Sequence, residues 1–346
     1  MTSLSGRNGG RAADPRPTMK DVAAVAGVSV KTVSRALNDE SGVQQATRDR
    51  VQAVARQLGF RRNDIAASLR RLDQSMATIG LLIEDVSNPF YAAVTRGVEE
   101  ITREHEYLLI AASSDEDPEL ERETLSAFLS RRVDGLIVVP AGGDHSYLAP
   151  DVARGTPMVF ADRPAAGVDA DAVVVANVRG AADGVRHLIG YGHRRIGYVG
   201  DIPGLYTARE RYRGYTNALR SAKLGLDKEL VRQGAHDIES AARAAAELLA
   251  LADPPTAIFA GNNRATIGVL RQLRQSGTRV AVVGFDDFEL ADVLDPAVTV
   301  VGCDARALGR AAAERLFARL AGDNTPVNTT VLPTTLTERG SGELRP

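Results

Sequence analysis

A small all-α head followed by an α/β body of two doubly wound lobes with parallel sheets is the fold class this sequence predicts. Three observations predict it. Residues 18–62 hold three short amphipathic helical segments. From Thr78 onward, apolar runs of strand length alternate with stretches of helical periodicity, in two successive groups. Charge is divided in the same way, since residues 18–71 carry ten Lys and Arg against five Asp and Glu, whereas the 346-residue chain as a whole has a net charge of -2. The length itself exceeds one ordinary core and calls for two or three domains.

The first 17 residues, MTSLSGRNGGRAADPRP, have no apolar stretch and are expected to form a flexible arm rather than a signal peptide or anchor. The head begins at Thr18, where Asp21 three residues later makes a capping box. Val22, Val25 and Ala26 are expected to face inward, and Gly27 to end the helix in the left-handed region. Ser29 can cap a second helix reaching about Leu37, with Val28, Val33 and Leu37 inward. A third runs from Thr47 to Leu58, with Val51, Val54, Ala55 and Leu58 inward and Gly59 beyond its end. Two helices joined by a short glycine turn are a helix-turn-helix signature.

The second helix leaves Ser29, Val30, Lys31, Thr32, Ser34, Arg35 and Asn38 off its apolar face. Lys31 and Arg35, four residues apart, can approach guanine O6 and N7 in a major groove. Ser29, Thr32, Ser34 and Asn38 suit phosphate oxygens, which position without specifying. Val30 offers only a contact with a thymine methyl or a sugar. The net charge of residues 18–71 is +5 and that of residues 72–346 is -9. That asymmetry assigns a polyanionic partner to the head alone, and double-stranded DNA is the partner expected.

Residues 63–71, NDIAASLRR, carry Ile65, Ala66 and Leu69 on one strip barely two turns long. Such a segment is too short to hold a helix alone in water.

In the body, ATIGLLIE, YLLIAA, GLIVV, PMVFAD and AVVVA are buried-strand runs, with a helix bearing Val94, Val98 and Ile101 inward and another at 119–132. RIGYVG, a helix at 207–222, TAIFAG, a helix at 264–276 and RVAVVGFD repeat the pattern. Ligands of such sheets bind at the carboxyl ends of the strands. Asn88, Phe90, Asp162, Arg163, Asn262 and Asp286 sit just past strand ends, and Arg211 lies on the helix after RIGYVG. Amides, carboxylates and guanidinium groups converging on one cleft suit a polyol, whose hydroxyls both donate and accept.

Catalytic motifs are missing from the sequence. GYGHRR places Arg195 where a dinucleotide-binding glycine belongs, and neither G-x-x-x-x-G-K-[ST] nor G-x-S-x-G occurs. His193 is expected to make a structural hydrogen bond. The single cysteine, Cys303, and the lack of zinc-ligand spacing predict neither an internal disulfide nor a metal site, and no cofactor is expected. No run of about 18 apolar residues is present, so a cytoplasmic protein without a membrane partner is expected.

TMKDVAAVAGVSVKTVSRALN followed by TRDRVQAVARQLGF resembles the DNA-binding head of the LacI/GalR bacterial transcription regulators. SNPFY, FADRP, YGHRRIGYVG, RERYRGY, GFDD and LPTTLTERGS extend the resemblance to residue 342 and to the type I periplasmic-binding fold. The resemblance implies a homodimer on a pseudo-palindromic operator, controlled by a small sugar-like effector. It assigns base reading to Val30, Lys31 and Arg35, and minor-groove contact to a hinge helix with Asn63, Ala66 and the wedge Leu69. Phe90, Asp162, Arg211, Asn262 and Asp286 match effector contacts. Domain limits follow: arm 1–17, head 18–62, hinge and linker 63–75, body 76–342. The N-terminal lobe takes about 76–174 and 303–332, and the C-terminal lobe about 175–302 and 333–342. Asn262-Asn263 stands where Asn-Asp is usual, and Ala176-Asn177 where Asp-Asn is. No Trp is available to stack on a sugar, which leaves Phe90 with Tyr206 or Phe288. An effector-independent DNA-binding regulator and a cytoplasmic sugar-binding protein remain the alternatives.

Overall fold

The computed structural model describes residues 17–38, 40–60 and 76–346. The chain divides into two compact units, Met1–Gln74 and Ser75–Pro346.

In the first unit α1 spans Met19–Ala26, α2 Val30–Leu37 and α3 Gln45–Gln57. Asp21 starts α1 by accepting the Thr18 backbone N–H and hydroxyl, both at 2.7 Å. Gly27 closes it at φ 66°. The Ser29 hydroxyl accepts the Thr32 N–H at 3.1 Å and so caps α2. Val22, Ala23, Ala26, Val33, Ala36, Val51 and Ala55 form the core, with Met19, Val28, Leu37, Val54 and Leu58 around it. Two expectations need correction. Val25 is 56% exposed, because at 100° per residue Met19, Val22, Ala23 and Ala26 share one arc and Val25 falls outside it. Helix α3 begins at Gln45, two residues before Thr47.

The second unit runs β1 (Thr78–Ile83), α4 (Pro89–Glu104), β2 (Leu108–Ser113), α5 (Pro118–Ser130), β3 (Gly135–Val138), α6 (Ala149–Ala153), β4 (Met158–Asp162) and β5 (Asp171–Val175). It continues with α7 (Asn177–Gly190), β6 (Ile196–Val199), α8 (Tyr206–Ser221), β7 (Val231–Arg232), α9 (Ile238–Leu249), β8 (Ala257–Ala260), α10 (Asn263–Ser276) and β9 (Ala281–Phe285). The closing elements are β10 (Thr299–Gly302), α11 (Ala305–Leu320), β11 (Thr329–Leu332) and β12 (Thr335–Thr337).

Two six-stranded sheets result, in the orders β11-β5-β4-β3-β1-β2 and β12-β10-β9-β8-β6-β7. Every pairing in the first is parallel. The second is parallel except at its edge, where β12 runs antiparallel to β10. That edge strand enters straight from β11 of the other sheet across two residues, too short a link for the crossover a parallel strand requires. The chain passes between the sheets three times, after β5, β10 and β11.

Helices cover both faces of each sheet. Helices α4 and α11 lie with Ile79, Leu81, Ile137, Val159 and Val173 in one core, while α9 and α10 pack on Ile258 and Val282. Glycine permits the closest helix pair. A Cβ on Gly97 of α4 would lie 2.1 Å from the Arg306 carbonyl oxygen of α11, and one on Gly309 would lie 2.0 Å from that of Val94. Backbone therefore meets backbone there, which holds α11 on the first sheet although its sequence follows β10 of the second.

Candidate functional sites

The carboxyl ends of β1, β4, β6, β8 and β9 face one another across a narrow cleft with a cavity of about 30 Å3. Asn88, Phe90, Asp162, Arg163, Arg211, Asn262 and Asp286 all line it. The Asn88 side chain accepts the Phe90 N–H at 3.1 Å and so starts α4, with Pro89 at the first helical position. Asn262 starts α10 in the same manner, accepting the Ala265 N–H at 2.7 Å. Asp162 ends β4 and Asp286 follows β9, at φ 65° and 63°, a left-handed conformation that non-glycine residues seldom adopt.

Arg163 is the hub of the N-terminal side and is 3% exposed. Its Nη1 donates to Glu116 at 2.8 Å and to the Pro140 carbonyl at 3.0 Å. Its Nη2 donates to Glu84 at 3.0 Å and to the Tyr91 hydroxyl at 3.2 Å. All four terminal N–H groups are thereby used, so Arg163 organises the wall more than it offers donors. Burial pushes the Glu116 carboxyl up to about 8, a rise that the adjoining Arg163 only moderates. Tyr91 also donates to Asp162 Oδ2 at 3.3 Å, whereas Asp162 Oδ1 is buried without a hydrogen bond.

Arg211 plays the corresponding part opposite. Its Nε donates to Asn177 at 2.8 Å, and its Nη1 to Asp286 and to the Gly261 carbonyl, both at 2.8 Å. Its Nη2 reaches Asp286 at 3.4 Å, which leaves one N–H over, and the guanidinium lies 3.9 Å above the Phe285 ring. Burial raises the Asp286 carboxyl to about 6 in spite of Arg211. Asn263 donates to Asn88 across the cleft at 2.8 Å, and Arg264 pairs with Asp85 and lies 3.7 Å from Glu84.

Glu84, Tyr91, Asp201, Thr207, Asn263 and Arg264 also line the cavity, and sequence reasoning did not select them. Glu84 follows β1 directly and Asp201 lies two residues past the end of β6, so the strand-end rule applied evenly would have found both. Tyr206 and Phe288 do not line it. Tyr206 packs on the core containing Phe160, and Phe288 on Ala291, Val298 and Val300. His193 lies away from the cavity lining, hydrogen bonded to Thr256 at 2.9 Å and to the Leu344 carbonyl at 2.8 Å. Among the described residues His187, Glu338 and Glu343 could hold a metal ion, but Glu343 already bonds His187 at 2.5 Å and Thr299 at 2.8 Å.

On the head, Lys31 is exposed and Val30 is 43% exposed. The Ser29 and Thr32 hydroxyls hydrogen bond each other at 2.9 Å, and Ser34 is half-buried. Asn38 donates to Glu40 at 3.2 Å. Arg35 does not extend beside Lys31 as expected, because its Nη2 donates to the Ser41 carbonyl and its Nε stands 3.7 Å from Glu40. Asn63, Ala66 and Leu69 lie outside the described residues.

Comparison with known proteins places these features in one family. Residues 18–63 match the model for bacterial regulatory proteins of the lacI family, and residues 185–342 match the periplasmic binding protein-like domain. The ribose operon repressor of Haemophilus influenzae is 32% identical over 330 residues, covering 94% of this chain and 98% of that one. The structure of a transcriptional regulator CelR-cellobiose complex is 32% identical with a TM-score of 0.70, covering 94% and 100% of the two chains. A lac repressor dimer bound to operator and the anti-inducer ONPF gives a TM-score of 0.82 at 26% identity, covering 95% and 99%. These relatives are named as regulators, not enzymes. The chain belongs to the lacI family of DNA-binding bacterial transcriptional regulators.

Proposed function

We propose that this protein is a cytoplasmic, non-enzymatic repressor that binds a pseudo-palindromic operator as a homodimer and is controlled by a neutral, sugar-like effector. Val30, Lys31 and Arg35 read each half-site. Ser29, Thr32, Ser34 and Asn38 face phosphates, and Asn63, Ala66 and Leu69 enter the minor groove between the half-sites. Apolar wedges of that kind give up stacking in exchange for a bent duplex and a larger interface.

The observation that carries the effector reading is the charge pairing inside the cavity. Glu84, Asp162, Asp201 and Asp286 oppose Arg163, Arg211 and Arg264, and each arginine is already paired with a carboxylate. An anionic ligand would have to displace a buried ion pair, at several kcal/mol. A polyol instead meets the unpartnered Asp162 Oδ1, the remaining Arg211 N–H and the Phe90 ring. The CelR relative forms a complex with cellobiose, a neutral sugar, in agreement with this chemistry. Ligand across the cleft reinforces the Asn88 to Asn263 closure and turns one lobe on the other about the three chain crossings, which alters the start of the hinge near Ser75.

The exposed apolar side chains supply the dimer surface. Leu108 is 63% and Ile110 36% exposed on edge strand β2, and Leu290 and Val293 are 62% and 69% exposed. A second copy covering them removes the unpaired β2 edge and the apolar side chains after β9 from water.

Thermal shift of the full chain against neutral sugars, polyols, sugar phosphates and purines tests the effector class. A neutral polyhydroxy compound at 100 times its Kd is expected to stabilise by about 2.7 kcal/mol. A shift confined to phosphates or purines would replace this reading with an anionic or aromatic ligand.

A further inference from the structure

Arg35 is assigned to a base edge, yet its guanidinium is occupied within the head. We infer that the Glu40–Gly42 turn is an internal decoy for Arg35, which mimics the acceptors of a guanine and sets how strongly the head prefers its operator.

Four features of the turn fit this role. The Ser41 carbonyl accepts from Arg35 Nη2 and the Glu40 carboxylate stands 3.7 Å from Nε, so one neutral and one charged oxygen face the same fork that would grip guanine O6 and N7. Glu40 is itself held from three directions. Its side chain accepts from Asn38 Nδ2 at 3.2 Å, its carbonyl accepts from Arg48 at 3.0 Å, and its N–H donates to the Arg35 carbonyl at 3.0 Å. Gly42, at φ 88°, leaves the guanidinium its space, because a Cβ there would lie 2.6 Å from Nη2. The pair is also on the surface, with the side chains of Arg35 and Glu40 38% and 51% exposed, so DNA can compete for the arginine without unfolding anything.

Binding through a side chain that must first leave another partner lowers apparent affinity by the fraction of molecules in which it is released. The effect is selective. A guanine at the right position compensates for the lost Glu40 and Ser41 contacts. Random sequence does not, and Arg35 stays parked. Glu40 therefore suppresses nonspecific use of Arg35 and acts as a positioning residue for base reading. The inference rests on the base-reading assignment of Arg35.

The test is Glu40→Gln in the full chain, which keeps an oxygen for Asn38 and removes the charge facing Arg35. Fluorescence anisotropy is measured on an operator selected from a random pool, on that operator with each guanine changed in turn, and on random duplex. Wild type, E40Q, Arg35→Ala and the double variant are compared. E40Q is expected to tighten operator binding about threefold to tenfold when Arg35 is present and to leave the Arg35→Ala protein unchanged. The change of one particular guanine is expected to abolish the gain. An equal gain in the Arg35→Ala background, or the same gain on random duplex and operator, reports only reduced repulsion of phosphates and overturns the decoy. If Arg35→Ala leaves base preference intact at every position, the base-reading assignment itself fails, a result separable from failure of the decoy alone.

Discussion

Replacing Asp286 by Ala is expected to destabilise residues 76–346 by about 3–5 kcal/mol, because Arg211 would remain buried without its counter-charge. Arg211 is 4% exposed, and among the described residues Asp286 is the only carboxylate that accepts its hydrogen bonds, at 2.8 and 3.4 Å. Chemical denaturation monitored by circular dichroism measures the loss. A change below about 1 kcal/mol would mean that the pair is dispensable.

Asp286→Asn separates charge from shape. Asp286 has its carboxyl raised to about 6 in the folded protein, from an ordinary value of 3.8. Folding then takes up a proton in that interval. The associated stability is fully present below about pH 4 and is lost as pH rises through about 6. Relative to Asp286→Asn, the wild type should therefore lose on the order of 2–3 kcal/mol between pH 4 and pH 7 and little more above it. A difference that grows in the opposite direction would show that Arg211, not burial, governs this carboxyl.

The second large effect is on DNA. Arg35→Ala is expected to cost about 1–3 kcal/mol per half-site and about twice that for a dimer on a full operator, with preference relaxed at one base position in each half. Binding titrations on duplexes altered base by base distinguish this from a phosphate contact, which would weaken all sequences alike and lower the salt dependence.

Much of this architecture is legible in the sequence because its signals are local. Thr18, Gly27 and Ser29 cap helices through neighbours within four residues, and the central strands read as unbroken apolar runs since both faces of their sheet are covered. The seven cleft residues could be chosen because each lies at a strand end, in the loop after it, or on the helix that follows. What the sequence conceals is pairing at a distance. Arg163 meets Glu84, 79 residues away, and Glu116, 47 away, so neither partner shows in any local pattern. The antiparallel direction of β12 and the return of α11 to the first sheet are likewise set by backbone approach at Gly97 and Gly309 and by a short link, not by side-chain periodicity. Arg35 illustrates the opposite failure. Its position on the helix is predictable, but the rotamer it adopts depends on a turn outside that helix.

The central claim is that a small molecule in the cleft of residues 76–346 governs DNA binding by residues 18–60. A titration of an operator enriched from random duplex, at zero and at saturating concentration of the polyol that raises the melting temperature, tests it most directly. Coupling of about 1–3 kcal/mol predicts a shift in operator Kd of roughly 5-fold to 150-fold. An identical Kd with the cleft empty and filled would contradict the account.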